Sequence, residues 1–466
     1  LKKQLIQLFL HFKKQFFVLM KKLAIVGWSV LALSFTACKS DEQENLDQTL
    51  NHALTDASAG KGIASFQLPF DYEYEKIPQD PKNAITYAKV QLGKLLFHET
   101  VLGGSPKHPS GRFCYSCASC HHVEGGFGAG IAQGIGDGGE GFGKFGEGRK
   151  PSNMYSVIDI DVQPLRTPSA LNSAFQTNML WNGQFGATGV NVGTQSAWTA
   201  GTPKEKNHLG FQGVETQAIA GQGVHRLTVD TAYLRSRSQY YLLFSEAFAD
   251  LPENQRITPI TVGMAIAAYE RQLLANKAPF QEWLRGKTSA MSEDEKRGAI
   301  LFFTKGNCAK CHNGPALNSM TFHAYGMGDL TSGQYGVINV GTEVADHKGR
   351  GGFTGKAEDM FKFKVPQLYN LRDARFFGHG ASFTSIEAVV RYKNSGIKEN
   401  AKVADNQLSS EFKPLGLSDD EVRQIALFMD KSLYDPNLKR YKPYTLPSGF
   451  CFPNNDPQSR VDRGCQ

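Results

Sequence analysis

Apolar residues recur at helical spacing in four stretches of this chain, and three of those stretches carry a start signal. Ala84-Ile85, Leu92 and Leu95-Leu96 predict a helix that begins near Asn83. Thr258 followed by Pro259, an N-cap and then proline in the first turn, predicts a helix running to about Leu274. Ser292-Glu-Asp-Glu295 is a capping box, in which serine and glutamate side chains each take up a free backbone N–H, ahead of Ala299-Ile300-Leu301-Phe302-Phe303. A second box, Ser418-Asp-Asp-Glu421, precedes Val422, Ile425, Ala426 and Met429, which fall at i, i+3, i+4 and i+7 on one face. Between these helices the pattern dissolves into long runs of turn residues, the longest being the glycine-rich stretch Gly125 to Gly148. The reading is a mainly α fold in two tandem units, 83–287 and 288–466, each built as helix, extensive loop and closing helix, with Trp283 to Met291 as the crossing.

The two ends of this span differ from the rest. Met20-Lys-Lys opens an apolar run from Leu23 to Phe35, which stops at Thr36-Ala37-Cys38. A basic start, a short hydrophobic stretch and small residues before a cysteine describe a lipoprotein signal peptide, with Cys38 as the lipidated residue. Residues 1–38 therefore read as an upstream extension plus that signal, and 39–82 as a polar tether. The alternative, an uncleaved membrane anchor, leads to the same compartment: periplasmic or cell-envelope, in a gram-negative bacterium. The formal charge of +7 falls to about +1 once the six lysines before Cys38 are set aside. No basic patch remains to imply nucleic acid.

The chemistry sits in two copies of one pentapeptide, Cys117-Ala-Ser-Cys120-His121 and Cys308-Ala-Lys-Cys311-His312. Cys-x-x-Cys-His is the attachment site of c-type haem: two thioethers to the haem vinyls and an adjacent histidine as proximal iron ligand. Two copies in separate segments imply two covalently bound haems c, which also fits export. The remaining cysteines are Cys114, Cys451 and Cys465. A Cys451–Cys465 disulfide is permitted outside the cytoplasm; pairing of Cys114 with either tail cysteine is the alternative. Gly134-x-Gly136-x-x-Gly139 matches a dinucleotide fingerprint in letters only, because no strand precedes it and no helix follows.

Taken with further segments, the chain resembles the bacterial di-haem cytochrome c peroxidases and their MauG relatives over roughly residues 83–435. The segments are Leu92-Gly-Lys-Leu-Leu-Phe-His98, Arg166-Thr-Pro-Ser-Ala-Leu-Asn172, Leu180-Trp181-Asn182-Gly183, Asn276-Lys-Ala-Pro-Phe280, Phe363-Lys-Val-Pro-Gln-Leu-Tyr-Asn-Leu371, His379-Gly380 and Ser385-Ile-Glu-Ala-Val-Val390. The resemblance implies two tandem cytochrome c-like domains. The N-terminal haem would react with peroxide and the C-terminal haem would supply electrons. Peroxidases of this family place a distal histidine in the glycine-rich loop. Gly134-Ile-Gly-Asp137-Gly has none, which predicts a first haem whose sixth position is open. Gln217 matches the family's distal glutamine. The family's glutamate is missing from Gly223-Val-His225-Arg226-Leu227, so His225 or Arg226 is expected to replace it, the alternative being that both are helix-surface residues. Adjacent to the proximal ligand, His122 is expected at the surface or beside a propionate.

For the second haem the family uses Met or Tyr as sixth ligand. Counting from His379 puts Lys393 at that position, with Tyr392 one residue short; Met320, Met327 and Met360 are outside candidates. Trp181 matches the tryptophan between the haems, as an electron relay or as packing. The family's bridging calcium is held by an asparagine side chain where this chain has Arg166. A cation there speaks against calcium, though backbone carbonyls could remain as ligands, and Arg166 could instead pair with a haem propionate. The insertion Gly186 to Phe211 is expected to shape a partner surface or to be a plain loop.

Three functions are compatible with these features. The first is a peroxidase turning hydrogen peroxide into water with electrons from a small cytochrome, cupredoxin or quinol-linked donor. The second is a MauG-like oxidase of a protein or small molecule, and the third a di-haem electron carrier. A homodimer and a membrane attachment through Cys38 are the further expectations.

Overall fold

The computed structural model describes residues 45–465, and over that span the chain is helical with very little sheet. The signal segment and Cys38 lie outside the described residues. Helix α1 covers residues 45–57. The first lobe follows with α2 (Tyr87–His98), α3 (Gly213–Val224), α4 (Thr231–Ser236), α5 (Ser238–Ala247) and α6 (Pro259–Gln272). After α7 (Pro279–Leu284), the second lobe is built on α8 (Glu293–Phe303), α9 (Arg350–Thr354), α10 (Ile386–Ser395) and α11 (Asp419–Leu427), and α12 (Pro457–Arg463) ends the fold. Sheet is confined to two antiparallel ladders of two residues per strand, β1 (Gly139–Glu140) with β2 (Lys150–Pro151) and β3 (Phe322–His323) with β4 (Phe363–Lys364).

The caps read in the sequence start these helices. The Thr258 side chain accepts from Thr261 N at the head of α6, and Ser292 and Ser418 form full capping boxes with Glu295 and Glu421. In each lobe the opening helix crosses the closing helix at a glycine. A Cβ on Gly93 of α2 would lie 1.9 Å from the Ala265 carbonyl oxygen of α6. A Cβ on Gly298 of α8 would lie 2.0 Å from the Gln424 carbonyl oxygen of α11. No side chain fits at either place, so two backbones touch directly in both lobes.

One continuous hydrophobic core runs through both lobes, holding Leu92 and Ile266 of the first together with Phe302 and Ile425 of the second. The division at 287/288 is therefore not a boundary between separate cores, and the two ends of the chain cross it. Residues 45–82 are not a tether. Leu46, Leu50, Ala53 and Leu54 of α1 are buried on one helical face, and the arm carrying them lies on the second lobe. Phe66 packs edge-on against Phe303 at 5.2 Å. Asp47 takes a hydrogen bond from Trp283 Nε1 (2.6 Å) and sits 2.6 Å from the fully buried ammonium of Lys296.

The C-terminal end makes the reverse journey. Residues read as part of the second unit, 438–465, lie on the first lobe. Tyr269 donates to the Tyr441 carbonyl (3.0 Å), Arg149 pairs with Asp456 at 3.2 Å, and Asp462 accepts from Phe142 N and Gly143 N. A Cys451–Cys465 disulfide, with Cα atoms 5.8 Å apart, closes this strap around α12. Of the pairings open in the sequence this is the one formed. Cys114 stays a free thiol bonded to the Ser110 carbonyl, and burial pushes it up to about 11.

Two expectations follow. Gly298→Ala forces a methyl into a backbone contact and is expected to cost about 3 kcal/mol, read by urea unfolding of the holoprotein. Asp47→Ala leaves the Lys296 ammonium buried without its carboxylate and is expected to cost at least about 3 kcal/mol; an unchanged unfolding midpoint would show that the α1 arm is not part of the folded unit.

Candidate active site

Each Cys-x-x-Cys-His segment is a single 3-10 turn followed by its histidine, Cys117–Ser119 in the first lobe and Cys308–Lys310 in the second. The four thiols are unpaired in a chain that forms a disulfide elsewhere. Burial pushes the Cys117, Cys120 and Cys308 thiols up to about 12. His121 Nδ1 lies 3.1 Å from the Phe127 carbonyl, and His312 Nδ1 lies 3.0 Å from the Leu317 and 3.1 Å from the Pro366 carbonyl. A carbonyl only accepts, so in both rings Nδ1 carries the proton and Nε2 presents its lone pair. Burial pushes both imidazoles down to about 4, which keeps them neutral. Two thiols and a tautomer-locked neutral histidine at each site fit a covalently held iron porphyrin.

The surroundings of the two sites differ. At the first, α3 presents Gln217, Gly221 and His225 in succession. A Cβ on Gly221 would lie 3.4 Å from Gln217 Nε2 and 3.9 Å from His225 Cδ2, in ordinary contact with both, so this glycine sits between two polar side chains. His225 is the C-cap of α3, and its Nδ1 lies 2.9 Å from the Asp161 carboxylate. Burial alone would lower this imidazole, but the charge and hydrogen bond of Asp161 outweigh it and the net shift is upward. His121 lies close enough for a charge on His225 to depress it further. Arg226 does not join this face. The helix has ended, its φ is 55°, and its guanidinium donates to Asp137 Oδ2 and the Asp159 carbonyl, both at 2.6 Å. Asp137, fully buried, also receives Tyr155 OH and Lys107 N. Arg226 thus pins the glycine-rich loop. His122 is not at the surface either: it is 3% exposed, packed on Phe142 and bonded to Gly130 N.

At the second site one cavity extends from the loop 125–129 past Arg166 and Trp181 to Cys308, Cys311 and His312. Trp181 lines it, donating Nε1–H to the Arg166 carbonyl (2.8 Å), with the Arg166 guanidinium 5.4 Å from its ring. The Trp181 carbonyl accepts from Lys364 N of β4 (2.7 Å), so the indole is fixed where the two lobes meet. The Arg166 Nε donates to the Gly378 carbonyl (2.9 Å). The residues at this position do not fit calcium: a fixed cation takes a carbonyl where an anionic or neutral oxygen donor would be needed. Of the second-haem candidates, Lys393 and Met327 line the cavity, while Tyr392, Met320 and Met360 do not.

Several site residues carried no local signal. Asp161 meets His225 across 64 residues. Glu270 of α6 is buried with its Oε2 unpartnered and is raised to about 8 by burial and then by the Glu215 charge, close enough to act on Cys117. Lys364 is buried, and among the described residues it is held by Gln176 and the Asn178 carbonyl rather than by a carboxylate. The insertion 186–211 is ordered: Asn191 donates to the Gly183 and Gly186 carbonyls and accepts from buried Arg350 (2.7 Å).

Residues 87–289 match the family model of the di-haem cytochrome c peroxidases. The chain is 26% identical over 419 residues to the methylamine utilization protein MauG of Methylorubrum extorquens, covering 88% of this chain and 95% of that protein. The match is thus to the di-haem cytochrome c peroxidases, and the relatives this chain is similar to are named both MauG and cytochrome-c peroxidase. It is also 28% identical over 395 residues to the cytochrome-c peroxidase IdrP1 of Denitromonas iodatirespirans, covering 81% of this chain and 89% of that one. The crystal structure of a MauG-like protein associated with microbial copper homeostasis superposes with a TM-score of 0.56 at 23% identity, over 80% of this chain and 96% of that chain, so the two share a fold. The match to a di-haem family implies two haems c, for which the paired thiol and histidine sites above supply the donors.

Proposed function

We propose that this protein is a peroxidase that converts hydrogen peroxide to water. The balance is one peroxide, two protons and two electrons to two waters, with the electrons drawn from a small cytochrome or cupredoxin. Two thioether-bound haems, at Cys117 and Cys120 and at Cys308 and Cys311, would supply the redox chemistry when bound, with His121 and His312 as proximal ligands. The observation that carries the reading is the unequal pair of surroundings: the polar pair Gln217 and His225 about Gly221 at the first site, and a cavity lined by the Lys393 amine at the second.

His225 and Gln217 do the work that falls to the protein at the first site. A neutral His225 takes the peroxide proton at Nε2 while Asp161 holds the ring through Nδ1, and Gln217 orients the peroxide by its amide. Trp181 lies on the path between the sites and carries electrons across it. A MauG-like oxidase of a protein or small molecule is the second reading, favoured by the 26% identity to a MauG protein over 88% of the chain. A cell-envelope location, lipid attachment through Cys38 and a homodimer complete the proposal; among the described residues no helix is long and apolar enough to cross a membrane.

Two measurements test this. In steady-state turnover of peroxide with a reduced small cytochrome, His225→Ala is expected to lower kcat/KM by about 100-fold or more without changing haem content. An unchanged rate removes His225 from the chemistry. The base form of His225 is lost as pH falls through a pKa lying above the ordinary imidazole value, because Asp161 raises it. The wild-type pH profile should therefore drop on its acid side at a pH above that of free imidazole, and Asp161→Asn should move this limb to lower pH.

A further inference from the structure

The second cavity contains more donor groups than an iron can use, and their existing contacts remove most of them. His323 has both ring nitrogens engaged, Nε2 with Thr321 Oγ1 (2.9 Å) and Nδ1 with Ser409 Oγ (3.0 Å). Met327 has its sulfur packed against Gly378, 3.4 Å from where a Cβ would sit. Tyr392 and Lys393 are neighbours on α10, so their side chains leave the helix about 100° apart. Tyr392 points away from the cavity. Its OH donates to the Tyr325 carbonyl (2.6 Å) and accepts from Glu399 N (3.4 Å), and its ring packs on Phe383 and Phe412.

Lys393 takes the other direction. Its side chain lines the same cavity as His312, Cys308 and Cys311, with Nζ 3.4 Å above the Tyr325 ring and 5.5 Å from that of Phe412. No carboxylate lies within ion-pair distance among the described residues; the nearby Glu411 is taken by Lys310 at 3.3 Å and Asn307 at 2.9 Å. A long flexible amine held inside a cavity by aromatic faces alone rests on cation–π contacts and lacks a charged or ligating partner among the described residues. The iron held by His312 would be that partner.

We propose that the Lys393 amine, and not the Tyr392 phenol, is the second axial ligand of the iron at His312. The proposal rests on the di-haem reading and specifies its second site. On ligation the ammonium releases one proton to solvent and its nitrogen lone pair forms the bond to iron; no electron changes hands. A nitrogen ligand in place of a thioether sets a lower potential at this haem.

The test uses the full-length holoprotein. Intact mass first establishes two haems; a one-haem wild-type protein sinks the di-haem reading itself and leaves no second iron for Lys393. In the ferric wild-type protein, near-infrared magnetic circular dichroism should place the low-spin haem in the amine–imidazole range, and a band in the thioether or phenolate range overturns the proposal. Lys393→Ala should abolish the low-spin signal, and added methylamine should restore it. Lys393→Met should yield the sulfur-to-iron charge-transfer band and a higher potential. Tyr392→Phe should leave the spectrum unchanged. A wild-type low-spin signal persisting in both Lys393 variants, or lost in Tyr392→Phe, overturns the proposal while the haem count stands.

Discussion

The structure depends on a contact that has no side chain in it. At Gly93 and again at Gly298, the opening helix of a lobe lies against the backbone of the closing helix, with under 2.1 Å of room for a Cβ. That approach fixes the crossing of α2 on α6 and of α8 on α11. It also fixes where the chain emerges from each opening helix, 19 residues before Cys117 in the first lobe and five before Cys308 in the second. The histidine is then oriented by a main-chain carbonyl rather than by another side chain. Backbone geometry therefore places both proximal ligands, and the same arrangement is made twice.

Everything that makes the two sites unequal comes from outside this repeated frame. At the first lobe α3 ends in His225, and Asp161 reaches it from beyond the glycine-rich stretch. The loop is pinned by Asp137, which holds Arg226, Tyr155 and Lys107 N together. At the second, α10 turns Lys393 inward and Tyr392 outward. Between them the Arg166 guanidinium lies over Trp181, and the Lys364 backbone N–H fixes the Trp181 carbonyl. The crossed ends of the chain, the α1 arm on the second lobe and the disulfide-closed strap on the first, bind the lobes into one body and hold that spacing.

What the sequence made legible was local. Capping boxes at Ser292 and Ser418 and the Thr258-Pro259 start mark helices that form where their chemistry says. The two pentapeptides form matching 3-10 turns, and Gln217 and His225 lie on either side of Gly221 at the end of α3. What it hid was long-range. Asn45 to Tyr74 looks polar by composition, yet Leu46, Leu50 and Leu54 fall on one helical stripe that only a partner surface reveals. Arg226 looked like a distal group because it neighbours His225, but one residue past a helix end the chain has turned to φ 55° and the side chain serves Asp137 instead. Tyr392 and Lys393 could not be separated by counting, since one residue of register decides between them; their hydrogen-bond and ring contacts do separate them.

The central claim is that one haem site is open for chemistry and the other is closed for electron transfer. Low-temperature electron paramagnetic resonance of the as-purified, fully oxidised holoprotein tests it most directly. The account predicts one high-spin ferric signal beside one low-spin signal in equal amount. Two low-spin signals would contradict it, since both irons would then carry two protein ligands and neither would be free to meet peroxide.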